Sequence, residues 1–125
     1  MISERPDLEG AIGRLADGVR KATEDRHPRT AKLLASGPTR IAQKLAEEAV
    51  EVSLELVLGK REGVIRESAD LLYQLVVGWT AMGILPDEIL WELRRRELAM
   101  GLAEKLPKSA GSTQREVAPL PARRS

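Results

Sequence analysis

Two acidic stretches decide the reading of this chain: Glu47-Glu48-Ala49-Val50-Glu51 and Glu67-Ser68-Ala69-Asp70, with a Gly59-Lys60 break between them. Each lies inside an apolar pattern of helical period. Around the first, Ile41, Leu45, Val52 and Leu56 form the main stripe, supported by Ala42, Ala49 and Leu54. That spacing predicts a helix over Pro38 to Leu58, ended by Gly59. Around the second, Val64, Ile65, Leu71, Leu72, Leu75, Val76 and Trp79 predict a helix from about Arg61 to Met82, ended by Gly83. Its apolar residues cover more than one face, the mark of a helix buried on several sides. A link of two residues makes the pair an antiparallel hairpin.

Working outward, Leu8, Ile12, Leu15 and Val19 share one helix face. They predict a first helix from about Asp7 to Glu24, weakened by Gly10, Gly13 and Gly18. Asp25 to Arg29 reads as a loop, because Pro28 disfavours helix at the residue before it. A short helical turn is expected over Thr30 to Ala35, and Ser36-Gly37-Pro38-Thr39 is a stop and restart. A last helix is expected from near Pro86 to about Met100, with Asp87 and Glu88 early and Arg94, Arg95 and Arg96 late, as the helix dipole favours. No strand pattern and no internal repeat is visible. The expectation is all-α: a hairpin or bundle of about four helices in one domain, residues 1–106. Residues 107–125, rich in Pro, Gly, Ser and Arg, have too little apolar surface to fold and are expected to be a disordered basic tail. The wide apolar arc of the third helix predicts a homodimer or a higher even oligomer.

Composition narrows the chemistry. Apolar residues make up 42% of the 125, but only Tyr73, Trp79 and Trp91 are aromatic, so the core must be aliphatic. There is no cysteine, which excludes disulfides, thiolate metal sites and a cysteine nucleophile. Net charge is +1, and the tail from Pro107 carries four bases against one acid. The rest is near neutral, so charge gives no reason to invoke nucleic acid. Neither a signal-peptide pattern nor a membrane-length apolar run is present, which predicts a cytoplasmic protein with no membrane contact.

The acidic stretches carry the chemistry. Glu48 and Glu51 are i, i+3 neighbours on one helix face, and so are Glu67 and Asp70. Glu51 and Glu48 stand about 8 and 11 residues before Gly59, and Glu67 and Asp70 about 7 and 10 after Lys60. At a rise of about 1.5 Å per residue the two pairs lie at matching heights of the hairpin. Four converging carboxylates repel one another unless a cation neutralises them. An all-oxygen set suits a hard ion, Mg²⁺ or Mn²⁺, which couples carboxylates to substrate phosphates. The competing reading is a solvated face with Lys44, four residues before Glu48, as its partner. Against it, the helix has no base between Lys44 and Lys60.

At this point a resemblance is visible. Glu-Glu-x-x-Glu followed after fifteen residues by Glu-x-x-Asp resembles the signature of the MazG-like all-α nucleoside triphosphate pyrophosphatases. The run Leu33-Leu34-Ala35-Ser36-Gly37-Pro38-Thr39-Arg40-Ile41-Ala42-Gln43-Lys44-Leu45 is similar to the lead-in of the phosphoribosyl-ATP pyrophosphatase family. Glu67-Ser68-Ala69-Asp70-Leu71-Leu72-Tyr73 is similar to its second motif. Leu93-Arg94-Arg95-Arg96 and Gly101-Leu102-Ala103-Glu104-Lys105 resemble its C-terminal end. That family hydrolyses the α–β phosphoanhydride of phosphoribosyl-ATP to phosphoribosyl-AMP and pyrophosphate, the second step of histidine synthesis. The resemblance implies that Glu48, Glu51, Glu67 and Asp70 ligate Mg²⁺. It implies that Glu47 serves a second metal or orients the attacking water, and that Lys44 meets a phosphate. Glu47 and Glu48 are thus the candidate catalytic residues, and Arg40, Lys44 and Gln74 the candidate substrate-binding ones.

Two positions depart from the family pattern. Pro28-Arg29-Thr30 replaces Ser-Tyr-Thr or Ser-Trp-Thr, and Tyr73-Gln74 replaces Tyr-His. Gln74, at i+4 from Asp70 and i+7 from Glu67, is expected to border the site and to alter rate, pH dependence or substrate. The alternatives are therefore a house-cleaning pyrophosphohydrolase for other nucleoside triphosphates, or a non-catalytic helical dimer that binds partners. His27, the only histidine, reads as a solvated loop residue. Arg26, Arg29, Lys32 and Arg40 form a basic approach that either binds phosphates or is simply solvated. Arg94 to Arg96 reads as a charge run at a helix end.

Overall fold

The computed structural model describes residues 7–105 and, up to residue 101, their side chains. The expected tail, residues 107–125, lies outside the described residues. Five α-helices follow one another: α1 Leu8–Arg20, α2 Pro28–Ala35, α3 Pro38–Leu58, α4 Arg61–Ala81 and α5 Pro86–Lys105. The described residues hold no strand, as the sequence predicts. The chain falls into two compact units, one reaching Pro86 and containing α1 to α4, the other starting at Asp87 within α5.

The α3–α4 hairpin forms as expected. Gly37 at φ 92° and Gly59 at φ 69° bound α3. Both conformations are left-handed, where a Cβ is costly and glycine is not. Gly59 donates its N–H back to the Glu55 and Leu56 carbonyls and so satisfies the helix end. In the first turn of α4, Gly63 is buried, and a Cβ there would collide with the Glu55 carboxylate of α3. The absence of that side chain lets the two helices lie close.

Three expectations need correction. Residues 28–35 form a full helix rather than a loop and one turn. The rule about the residue before proline is obeyed, since His27 is non-helical at φ −143°. Pro28 itself opens α2, at a position where no N–H is needed. The first helix stops at Arg20, because the Lys21 N–H donates to both the Asp17 and Val19 carbonyls and tightens the last turn. The last helix continues to Lys105, so Arg94 to Arg96 lie in mid-helix. There Glu92 accepts from Arg95 at 3.0 and 2.6 Å and from Arg96 at 3.0 Å.

The core of the first unit is aliphatic, as the composition requires. Ala16 and Val19 of α1, Ile41 of α3, and Val76 and Val77 of α4 are buried together. Ile12, Leu15, Leu33, Leu34, Tyr73 and Trp79 pack on them in part. The expected α1 stripe therefore faces inward except at its first member, Leu8, which is exposed. Helix α3 contributes little beyond Ile41, and its Val50, Leu54, Val57 and Leu58 stand in solvent.

Candidate active site

Helix α3 carries its charges in order along one face. Arg40, Lys44 and Glu48 follow one another at four-residue spacing, and Glu51 lies three further on. The hairpin sets Glu67 and Asp70 of α4 opposite. Oxygen atoms of Glu48, Glu67 and Asp70 all lie within 4.8 Å of one another, with Glu48 and Glu67 part-buried and Asp70 exposed. Burial raises the Glu67 carboxyl above the ordinary glutamate range, and the charges of Asp70, Glu48 and Glu51 and a hydrogen bond with Glu48 raise it further. Glu48 Oε1 is buried without a hydrogen-bond partner. Three crowded carboxyl groups and an unpartnered buried oxygen are the donor set that a hard divalent cation fits.

Of the expected residues, the structure thus brings Glu48, Glu67 and Asp70 together. Glu51 stands just outside this trio but close enough to act on Glu67. Glu47 is exposed and turned toward Lys44, with 3.6 Å between its Oε1 and the lysine Nζ.

A cavity of about 780 Å³ opens on this acidic group. Glu48, Asp70, Tyr73 and Gln74 line one part of it, and Arg40, Lys44, Arg29 and Lys32 another, with Thr30, Leu33 and Ser36 completing the wall. The three expected substrate-binding residues, Arg40, Lys44 and Gln74, all line it. Arg40 donates to Gln43 Oε1 at 3.0 Å. Gln74 is buried, with 6% of its surface exposed, and its Oε1 has no hydrogen-bond partner. A neutral amide in that position can accept from a substrate N–H or O–H and does not titrate.

Helix α2 supplies the wall that sequence reading left undecided. Of the basic approach, Arg29, Lys32 and Arg40 line the cavity, and Arg26 does not. The hydroxyls of Thr30 and Tyr73 lie 2.6 Å apart in a part-buried hydrogen bond that ties α2 to α4. This contact joins residues 43 apart in the chain and has no local signal in the sequence. Trp79 packs on the core, whereas Trp91 is exposed.

The arrangement is an acidic cluster that meets a basic wall, so donors suited to a divalent cation and donors suited to phosphate share one cavity. Comparison with known proteins agrees with it. A family profile described as phosphoribosyl-ATP pyrophosphohydrolase matches residues 15–97. Phosphoribosyl-ATP pyrophosphatase 2 of Rhodopseudomonas palustris is 51% identical over 105 residues, which are 82% of this chain and 79% of that protein. Phosphoribosyl-ATP pyrophosphatase 2 of Bradyrhizobium diazoefficiens is 54% identical over 82 residues, 66% of this chain and 61% of that protein. Phosphoribosyl-ATP pyrophosphatase of Gluconobacter oxydans is 46% identical over 99 residues, 78% of this chain and 74% of that protein.

Proposed function

The chain belongs to the phosphoribosyl-ATP pyrophosphohydrolase family, and from that membership we propose how its residues perform the family's reaction. The reaction is hydrolysis of the α–β phosphoanhydride of phosphoribosyl-ATP, a step of histidine biosynthesis. Water adds its oxygen to phosphorus, the anhydride bond breaks, and phosphoribosyl-AMP and pyrophosphate result. The observation that carries the residue assignment is the convergence of Glu48, Glu67 and Asp70, of which Glu48 and Asp70 line a cavity that basic residues also line.

In this reading Glu48, Glu67 and Asp70, with Glu51 beside them, hold Mg²⁺, for which Mn²⁺ can substitute. When bound, the ion supplies charge neutralisation and an acidified water. Lys44 and Arg40 take the charge of the phosphate chain, which otherwise could not approach the carboxylates. Glu47, whose partner is Lys44, orients the attacking water or completes a second ion's ligands. Gln74, whose buried Oε1 has no partner in the protein, accepts a hydrogen bond from the substrate.

We further infer a homodimer in a cytoplasmic setting. The exposed apolar row of α3 supports the dimer. No single helix among the described residues is long and apolar enough to cross a membrane.

Pyrophosphate release with Mg²⁺ tests the assignment, comparing phosphoribosyl-ATP with a panel of nucleoside triphosphates. The expected result is turnover of phosphoribosyl-ATP that is lost in Glu48→Gln and Asp70→Asn. Preferred turnover of other triphosphates would point to the house-cleaning alternative and to Gln74. A folded protein that ignores Mg²⁺ and releases nothing would leave only a binding module.

A further inference from the structure

Phosphoribosyl-ATP is anionic at two ends, the triphosphate and a phosphomonoester on the second ribose. One site of charge does not satisfy both. Arg40 and Lys44 share the α3 face with Glu48, and Lys44 is about 6 Å of helical rise from it. They belong with the end that is cleaved. A second cation pair faces the same cavity from a different helix. Arg29 and Lys32 are i, i+3 neighbours on α2, both line the cavity, and neither forms an ion pair among the described residues.

Unpaired surface cations are common, but these two sit on an anchored helix. Helix α2 buries no residue fully and has no side-chain cap at its N-terminus. Leu33 and Leu34 pack it on the core, and the Thr30–Tyr73 hydrogen bond, 2.6 Å long, ties it to α4, with Thr30 between the two cations in sequence. Tyr73 adjoins Gln74 on α4 and lines the cavity itself. The bond therefore fixes the Arg29–Lys32 pair against the acidic wall. An i, i+3 pair of cations suits one dianionic phosphate, with the guanidinium giving two parallel hydrogen bonds.

We propose that Arg29 and Lys32 form a phosphomonoester subsite that reads the ribose phosphate of phosphoribosyl-ATP and separates it from ATP, with Thr30 and Tyr73 as positioning residues. The proposal rests on the function argued above. Its test uses the full chain with Mg²⁺ and two probes as inhibitors of phosphoribosyl-ATP turnover: ribose 5-phosphate, which carries only the monoester, and ATP, which lacks it.

In Arg29→Ala and in Lys32→Ala the inhibition constant of ribose 5-phosphate and the KM for phosphoribosyl-ATP should each rise roughly tenfold, the scale of one charge-assisted contact. The inhibition constant of ATP should move much less. Arg20→Ala, which removes a cation paired with Asp17 on α1, should shift neither probe. Tyr73→Phe and Thr30→Val should raise KM with a smaller change in kcat, and Thr30→Ser, which keeps the hydroxyl, should retain wild-type selectivity. Where the wild type hydrolyses phosphoribosyl-ATP, equal weakening of both probes in the Arg29 and Lys32 variants would overturn the subsite, and so would unchanged selectivity in them. A wild type that does not turn over phosphoribosyl-ATP would overturn the function itself, and the subsite with it.

Discussion

Glu48 has a buried oxygen that nothing in the chain satisfies, and Glu67 shares its surroundings with three other acids. Both facts say that the metal-free site is unfavourable. Outer-shell partners of a bound metal cost about 10–100-fold in affinity or activity when removed, so Glu48→Gln and Asp70→Asn should each cost about a hundredfold or more in kcat/KM. Steady-state kinetics at saturating Mg²⁺ checks this, and a loss of only a few-fold would remove them from the ligand set. Glu67 gives a second prediction with a definite sign. Its folded value lies above the ordinary glutamate 4.5, so the folded state holds the proton longer than the unfolded state. Metal-free stability should therefore fall as pH rises from 4.5 through the raised value. Glu67→Gln removes that penalty. In the presence of a chelator its Tm at neutral pH should exceed the wild type's, and added Mg²⁺ should reverse the order by stabilising only the wild type. A variant no more stable than wild type in chelator would show that the carboxylates do not strain the empty site. Spacing alone could not have ranked these acids. It put Glu48, Glu51, Glu67 and Asp70 at one height, but Glu51 lies about 60° and Glu47 about 100° round the helix from Glu48, and packing decides which of them faces α4.

Among the elements, the hairpin was the most legible, because each of its boundaries is chemical. Proline opens α3, and glycine in a left-handed conformation closes it. Helix α2, expected as a short turn over Thr30 to Ala35, begins two residues earlier because Pro28 has two readings, as a breaker of what precedes it and as a first helical residue, and the second applies to residues 28–35. The end of α5 lies beyond the expected Met100 because the helix runs through Gly101, a residue type that often stops one, to Lys105. Glycine position yields a prediction of opposite signs from one substitution. Gly59→Ala, at φ 69° with open space around its Cβ, should destabilise by about 1–2 kcal/mol through the left-handed strain alone. Gly18→Ala, exposed inside α1 with nothing within 4 Å of its Cβ, should stabilise by about 0.5–1 kcal/mol. Urea unfolding of both variants checks the pair, and the same sign at both sites would contradict the backbone account. Helix α5 has its own marker. Hydrogen bonds from Arg95 and Arg96 hold the Glu92 carboxyl down to about 2, so its contribution is present above pH 4.5 and is lost as pH falls toward 2. A carboxyl-carbon NMR titration should find it ionised at pH 3, where an unpaired glutamate is largely protonated.

At the scale of the molecule, the unit containing α1 to α4 buries very little for its length. Five hydrophobic residues are buried, while Val50, Leu54, Val57 and Leu58 of α3 are 56%, 52%, 84% and 62% exposed. These four recur at i, i+4, i+7 and i+8, the spacing of a single helix face, so they make a row rather than a scatter. An exposed apolar row of this kind is the pattern of a contact surface. The row also adjoins Glu47 and Glu51, so a second copy seated there would cover the flank of the acidic site and raise the strength of every charge interaction within it. A leucine or valine that becomes fully buried contributes about 1.5–3 kcal/mol, and a glutamate in the same place brings an unpaired charge instead. Leu54→Glu should therefore convert a two-chain species into a monomer in sedimentation velocity, with helical content by circular dichroism largely kept, since Leu54 touches solvent and not the core. Val57→Glu, in the most exposed member of the row, should act in the same direction. Because the exposed row borders the carboxylates, the monomeric variants should also need more Mg²⁺ for half-maximal thermal stabilisation. A wild type that sediments as one chain at micromolar concentration would leave the row without a partner copy, and a dimer untouched by either substitution would place the interface on another face.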